Sequence, residues 1–229
     1  MIFRQLFDIK GESSTYTYLL ADEESKDGII IDTVIENIER DSNIISELGI
    51  KIRYIIDTHI HADHITGAGR LKQIIGCETV VGSGANVKTY DIGINDGESL
   101  NFGKYEVKAI STPGHTDSCT TLKVNNMLFT GDSVLYRGCG RTDFQQGDSR
   151  KLYHSVRDKL FTQDKDTYIC PAHDYNGRTV STIKEEKTYS ARLRDGISED
   201  EFVEIMANLN LPKPKKIDIA IPANLKCGL

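Results

Sequence analysis

The segment THIHADH, at positions 58–64, places three histidines and one aspartate close together in a chain that has only six histidines. Imidazole nitrogens and carboxylate oxygens are common ligands of zinc, iron and manganese in proteins. In an extended chain alternate side chains point the same way, so His59 and His61 can face one ion. Asp63 and His64 are then left for a neighbouring position. The segment therefore indicates a metal site, and its residues permit either one ion or two.

Three further motifs carry residues of the same kind. His115 lies in TPGHT, Asp132 in TGD and His173 in CPAHD. Each motif, like THIHADH, directly follows a short apolar run that is typical of a strand. Residues at strand ends often converge in one crevice of an α/β scaffold, so we expect these side chains to meet. The alternative, that every histidine is individually satisfied in the core or at the surface, fits only His154 well.

Apolar periodicity predicts strands and helices that alternate only in part. STYTYLLA and IRYIIDT are typical of strands, and the second delivers the chain into THIHADH. TTLKVNNMLFTGD predicts a hairpin that turns at residues 125–126. SEDEFVEIMANL predicts a helix that begins with a capping box formed by Ser198 and Glu201. Because hairpins exclude a purely parallel sheet, the chain is predicted to form mixed β-sheets with helices on their outer faces.

The composition narrows the classes of function. With 229 residues, 38% hydrophobic and 27% charged, the chain resembles an ordinary globular protein. The net charge of -6 and the lack of a long basic block argue against nucleic-acid binding. No apolar run approaches the roughly 18 residues of a membrane span. Five cysteines without a C-x-x-C pair indicate a reducing compartment. We expect a cytoplasmic protein, or a mitochondrial-matrix protein if a leader was removed.

The order of the motifs THIHADH, PGHT, FTGD and PAHDY resembles that of the metallo-β-lactamase superfamily. The resemblance implies an αββα sandwich, in which two mixed β-sheets are flanked by helices and a metal site lies at one edge between the sheets. We expect one domain over residues 1–229, with a C-terminal segment of about residues 198–229 packed on it.

A narrower resemblance extends along almost the whole chain. The segments GCGRTDFQQG, LYHSV, PAHDYNGRTVSTIKEE and NLNLPKPKKIDIAIPAN strongly resemble the persulfide dioxygenases, also called sulfur dioxygenases. The resemblance implies that the substrates are O2 and glutathione persulfide, or a similar low-molecular-weight persulfide. The products would be sulfite and the free thiol, in sulfide detoxification. It also implies one non-haem Fe(II) per chain.

The resemblance also assigns the site residues. The iron ligands fall on His59, His115 and Asp132, the two-histidine, one-carboxylate set of non-haem Fe(II) oxygenases. The remaining polar residues of the motifs would orient the ligands and hold water: His61, Asp63, His64 and His173. Taken without the resemblance, the same residues permit one iron or two zinc ions.

Glutathione carries carboxylates, so its site is expected to offer cations. Arg141 is the first candidate, because a guanidinium can bind a carboxylate through two hydrogen bonds. The alternative is that Arg141 holds its own loop through backbone carbonyls. Tyr175 is a candidate for steering the substrate, and Cys227 for a position near the substrate entrance.

Two other functions remain open. The first is a glyoxalase II-like hydroxyacylglutathione thioester hydrolase, in which Asp132 bridges two metal ions and His173 completes the second site. The second is a sulfur-relay module whose metal only shapes the fold, although structural metal sites are normally closed. The family resemblance further predicts a homodimer, and a separate sulfurtransferase is a candidate partner.

Overall fold

The computed structural model describes residues 1–11 and 13–229, and its strands form two six-stranded sheets. The first sheet contains, in spatial order, β1 (Ile2–Phe7), β2 (Tyr16–Ala21), β3 (Asp27–Ile31), β4 (Lys51–Asp57), β5 (Glu78–Gly82) and β6 (Ile92–Ile94). The second contains β7 (Ser99–Phe102), β8 (Tyr105–Ser111), β9 (Thr120–Val124), β10 (Met127–Gly131), β11 (Tyr168–Pro171) and β12 (Ser181–Thr182). Within each sheet, strands that are consecutive in the chain are therefore paired.

Both sheets are mixed, as the sequence predicts. In the first sheet β1, β2 and β3 pair antiparallel, whereas β3 to β6 pair parallel. In the second sheet only the pair β10 and β11 is parallel. Because parallel neighbours end at the same edge, β3 and β4 deliver their following residues together, and so do β10 and β11.

Helices cover the outer faces of the two sheets. They are α1 (Ile38–Glu47), α2 (Ala68–Ile75), α3 (Ser149–His154), α4 (Ile183–Tyr189), α5 (Glu199–Ala207) and α6 (Ile217–Asn224), and a π-helical stretch at Ser155–Leu160 prolongs α3. On the first sheet Ile45 of α1 and Leu71 of α2 pack against Ile55. On the second, Leu152 and Phe202 belong to the cluster that includes the β-strand residue Leu128.

The two sheets pack on each other through a third apolar cluster. It joins residues such as Tyr18 and Ile29 of the first sheet to Phe102 and Phe129 of the second. The rings of Tyr18 and Phe129 meet edge to face, with centroids 4.9 Å apart. These layers form the predicted αββα sandwich. In the described part of the chain, no helix is long and apolar enough to cross a membrane.

The predicted local signals agree with the structure except near the C-terminus. Ser198 and Glu201 form the predicted capping box at the start of α5, and Asn125 adopts a positive φ of 50° in the β9–β10 turn. The last part of the chain, residues 209–229, contains several prolines and was not predicted to be helical. It nevertheless contains α6, with Pro222 inside the helix. Packing of the buried residues Ile217 and Ala220 outweighs the local cost of the proline there.

The fold predicts a strict requirement for glycine beside His115. Gly114 has a φ of +139°, and a Cβ at this position would overlap the backbone of Leu152. We expect Gly114→Ala to lower the free energy of unfolding by about 2 kcal/mol or more, through strain and overpacking. Urea denaturation of the metal-free protein measures this. Gly138→Ala is the control, because nothing lies within 4 Å of its added Cβ. Equal stability of the two variants would contradict the prediction.

Candidate metal centre

The four histidine and aspartate motifs meet at one edge of the sandwich. His59 follows β4, His115 follows β8, Asp132 follows β10 and His173 follows β11. His59, His115 and Asp132 each offer one ligand atom, and these atoms lie within 4.8 Å of one another. The structure thus brings together the three residues predicted to bind iron, while their role as iron ligands stays a prediction.

A second potential ligand group lies beside the first. His61, Asp63 and His173 also offer atoms within 4.8 Å of one another. The ring of His64 lies 4.3 Å from the ring of His61, measured between centroids. All seven residues predicted for the metal site and its support are therefore neighbours. The geometry alone permits one ion or two, as the sequence does.

Asp32, which the sequence reading missed, orients two of the histidines. Its carboxylate accepts hydrogen bonds from the backbone N–H of Thr58 at 2.7 Å and from the Thr58 hydroxyl at 2.9 Å. His61 Nε2 lies 3.1 Å from the same carboxylate, and His59 Nδ1 lies 3.0 Å from Thr58 Oγ1. Since the Thr58 proton is used on Asp32, its oxygen accepts from His59. This network leaves His59 Nε2 and His61 Nδ1 unprotonated and able to bind a metal.

The third histidine of the set is oriented by a backbone carbonyl. His115 Nδ1 lies 2.6 Å from the carbonyl oxygen of Arg141, which can only accept, so this nitrogen carries the proton. His115 Nε2 then presents its lone pair on the side of Asp132, whose Oδ2 lies 3.5 Å away. The loop that contains Arg141 therefore fixes the tautomer of a predicted metal ligand.

Thr15 orients the two remaining histidines. Its Oγ1 lies 3.3 Å from both His64 Nδ1 and His173 Nδ1. The same oxygen lies 2.6 Å from Ser13 Oγ, which donates to Asp8 at 2.6 Å. Because the Ser13 proton is used on Asp8, Thr15 donates to Ser13 and accepts from the imidazoles. In the neutral form of both histidines this leaves Nε2 without a proton, and His173 Nε2 lies 3.4 Å from Asp132 Oδ1.

Unpaired buried atoms indicate that this arrangement fits a metal ion. Among the described residues, His61 Nδ1, His64 Nε2 and Asp132 Oδ1 are buried without a hydrogen-bond partner. Leaving such an atom unpaired costs about 1–3 kcal/mol, which a bound cation would offset. Nitrogen and carboxylate donors suit iron, zinc or manganese. The residues present therefore fit a metal ion of this class.

The electrostatics favour neutral imidazoles at His59 and His61 and an ionised carboxylate at Asp63. Burial, reinforced by neighbouring imidazoles, holds the pKa of His59 and His61 well below the usual value. Burial works against ionisation of Asp63, but His173 and His64 outweigh it and hold its pKa well below the usual range. For His64 and His173 burial works against protonation, yet the nearby carboxylates raise the pKa of both. The centre thus offers lone pairs and negative charge to a cation.

Comparison with known proteins identifies the family. The sequence model of the metallo-β-lactamase superfamily matches residues 11–89 and 86–173. The chain is 50% identical to the mitochondrial persulfide dioxygenase ETHE1 of Mus musculus over 234 aligned residues, which cover 100% of this chain and 89% of the mouse protein. The human protein of the same name gives the same identity and coverage. The chain belongs to the persulfide dioxygenases of the metallo-β-lactamase superfamily.

A solved structure agrees with this assignment of the fold. The crystal structure of ETHE1 from Myxococcus xanthus superposes with a TM-score of 0.96 at 44% identity, and the match covers 100% of both chains. The structural match therefore extends over the parts of the chain outside the metal motifs. These parts include GCGRTDFQQG and the C-terminal NLKCG.

A cavity of about 550 Å³ opens onto the metal centre of the persulfide dioxygenase fold. Tyr175 lines it, with its ring stacked on that of His173 at a centroid distance of 6.2 Å. Arg141 also lines it, but its guanidinium binds both carboxylate oxygens of Asp143, at 2.6 and 2.7 Å, and the carbonyl of Pro212. The donors of Arg141 are therefore largely occupied by its own loop and by the C-terminal segment, and its role as a substrate-binding residue stays a prediction.

The structure does not bring Cys227 to this cavity. The thiol is buried and lines a separate cavity of about 510 Å³ together with Cys77 and Lys72. Burial raises the pKa of Cys227 to about 12, so the thiolate is not populated at neutral pH. The expectation that Cys227 lies near the substrate entrance is therefore not met. The turn after α6 carries this residue to the side of α2 instead.

Removal of one predicted ligand tests the centre. We expect Asp132→Ala to lose most of its bound metal, because the carboxylate supplies one of the three predicted ligand atoms and a negative charge. Inductively coupled plasma mass spectrometry of the purified protein gives metal ions per chain. His154→Ala is the matched control, since His154 is an exposed residue of α3 that bonds only to surface carboxylates. An Asp132→Ala variant that keeps the metal content of the control would disprove the role of this residue as a ligand.

Proposed function

We propose that the chain oxidises glutathione persulfide, or a similar small persulfide, at one Fe(II) bound by His59, His115 and Asp132. The balanced reaction converts persulfide, O2 and water into the thiol, sulfite and two protons. The observation that carries the proposal is the convergence of these three residues beside a cavity. The chain is also 50% identical to persulfide dioxygenases over its full length.

The donor set supports iron as the metal. Two imidazoles and one carboxylate form the facial set of non-haem Fe(II) oxygenases, which leaves coordination positions for substrate and O2. Fe(II) held by His59, His115 and Asp132 would supply the redox chemistry that lets O2 react with the persulfide. The chain's own contribution is to hold His59 and His115 as neutral ligands in fixed tautomers, through Thr58 and the Arg141 carbonyl.

The neighbouring polar residues are proposed as a supporting shell. His61, Asp63, His64 and His173 would hold water and orient the persulfide rather than bind a second ion. This assignment rests on the family resemblance, and the structure shows that Asp32 and Thr15 orient the three histidines through one ring nitrogen each. Because Asp63 is held ionised, it can accept hydrogen bonds from water held beside the ion.

The cavity offers cations to a substrate that carries two carboxylates. Five basic residues line it: Arg141, Arg192, Lys213, Lys215 and Lys216. Arg141, Lys213 and Lys216 form ion pairs with nearby acids. Arg192 has no acidic partner among the described residues, and one of its nitrogens donates to the carbonyl of Cys139 at 2.8 Å. We therefore infer that Arg192, more than Arg141, binds a glutathione carboxylate, with Tyr175 beside the persulfide.

Location and assembly are further proposals. All five cysteines are free and buried, which supports a reducing compartment such as the cytoplasm or the mitochondrial matrix. The homodimer and a separate sulfurtransferase partner rest on the family resemblance. Light scattering on the purified protein measures the molar mass and therefore tests the dimer.

Metal analysis combined with an oxygen electrode tests the proposed reaction. After anaerobic purification we expect one iron per chain and oxygen uptake that depends on glutathione persulfide, with sulfite formed in equal amount. Removal of iron by a chelator should abolish the uptake, and Fe(II) should restore it. Two zinc ions per chain, hydrolysis of S-lactoylglutathione and no oxygen uptake would instead establish the glyoxalase II-like function.

Substitution of Arg192 tests the substrate site. We expect Arg192→Ala to raise KM for glutathione persulfide about tenfold with little change in kcat, because a hydrogen bond to a charged group contributes about 1.5–3 kcal/mol. Arg192→Lys keeps the charge but not the planar fork, and it should recover part of the loss. Arg194→Ala, an exposed neighbour, is the control. An unchanged KM in Arg192→Ala would place the carboxylate site elsewhere.

A further inference from the structure

Asn224, the last residue of α6, connects the C-terminus to the metal-binding loop. Its side chain is buried, with 1% of the residue exposed. The amide nitrogen donates to the carbonyl of His61 at 2.8 Å and to that of His64 at 2.9 Å. The amide oxygen accepts from the backbone N–H of Thr66 at 2.9 Å. One amide group thus satisfies three backbone groups of residues 61–66.

These backbone groups depend on Asn224. Residues 61–66 form no regular helix or strand. Among the described residues, no backbone N–H donates to the carbonyl of His61 or His64. Without Asn224 both buried carbonyls would lose their partner, and the loop would have to move to find another. An amide is suited to the task because it combines two donors with an acceptor.

A second set of contacts docks the same tail on α2. The N–H of Gly69 donates to the carbonyl of Cys227 at 2.9 Å. A Cβ at Gly69 would overlap this carbonyl, and a Cβ at Gly228, where φ is +76°, would overlap the carbonyl of Thr66. The tail therefore approaches α2 and the loop backbone to backbone. These contacts hold the tail in place independently of the Asn224 side chain.

We propose that Asn224 is a positioning residue of the metal centre. It fixes the backbone of residues 61–66 and so holds His61, Asp63 and His64 around the ion without touching the ion itself. The inference deepens the proposed function and rests on it for the identity of the ion as catalytic Fe(II). The dependence of metal retention on Asn224 can be measured without any assay of persulfide oxidation.

The test uses two substitutions, one at Asn224 in the tail and one at Gly69 in α2, against which the tail packs. Asn224→Asp keeps the acceptor for Thr66 but replaces the nitrogen, which donates twice, by one oxygen that faces both carbonyls. Gly69→Ala leaves Asn224 intact and pushes the tail away from α2. The controls are Asn208→Asp, at an exposed amide that bonds only to Glu204, and Gly93→Ala, where the added Cβ meets only ordinary contacts.

Three readouts on the full-length protein are compared. We expect both tail variants to release Fe(II) to a chelator at least tenfold faster than the wild type and the controls. The peptide containing residues 61–66 should exchange amide hydrogens faster, while peptides of β7–β10 remain protected. After substitution with Co(II), the visible absorption bands of the tail variants should change, because they report the coordination of the ion.

The outcomes test the role of Asn224 separately from the proposed oxidation of persulfide. Wild-type chelator resistance and Co(II) spectra in Asn224→Asp would overturn it, even if the variant unfolds at a lower temperature, since that result shows a merely structural role. If Asn224→Asp does not yield folded protein, the same readouts on Gly69→Ala decide in the same way. A wild-type protein that binds metal but consumes no O2 with persulfide would refute the proposed function. The role of Asn224 would then still be tested by the rate of metal release to the chelator.

Discussion

The arrangement of the metal centre depends on the hydrogen bonds that converge on the buried carboxylate of Asp32. It follows β3, and the parallel pairing of β3 with β4 places it beside Thr58 and the histidines that follow β4. Burial raises the pKa of Asp32 to about 6, although hydrogen bonds from Thr58 act in the opposite direction. A carboxylate held there is costly unless several donors converge on it. Those donors are Thr58 and His61, so satisfying Asp32 also selects the ring nitrogens that face the ion.

The metal centre therefore lowers the stability of the metal-free fold and leaves ligand atoms available to a cation. Imidazoles that pack against one another in a buried edge cannot all be protonated, which leaves His59 and His61 neutral with unused lone pairs. The unpaired atoms His61 Nδ1, His64 Nε2 and Asp132 Oδ1 have a cost in the folded chain without metal. Burial of the apolar layer between the sheets offsets that cost, and the three predicted ligand atoms already lie within 4.8 Å of one another.

The sequence predicted the potential ligands and the layers better than the residues that hold the ligands in place. The four motifs carry their own spacing and follow apolar strands, so His59, His115, Asp132 and His173 could be found locally. Asp32 also directly follows an apolar run, but it lies outside any recognised motif. Thr15 and Asn224 gave none, because their roles arise from contacts with His64 across 49 and 160 positions of the chain. For Arg141 the sequence permitted two roles, and only its contacts with Asp143 and Pro212 favour one of them.

The C-terminal segment explains how shared metal motifs can serve a particular chemistry. Arg141 donates to the carbonyl of Pro212 while its own carbonyl orients His115, so the loop 138–147 and the tail stabilise each other at one side of the ion. At the other side Asn224 holds the loop of His61 and His64. Residues 211–216, which include the first of these contacts, line the cavity in which the substrate is proposed to bind. Because one segment contacts the loops of the predicted ligands and lines this cavity, we expect changes in the tail to affect metal binding and substrate choice together. The motifs themselves can then remain common to the whole superfamily.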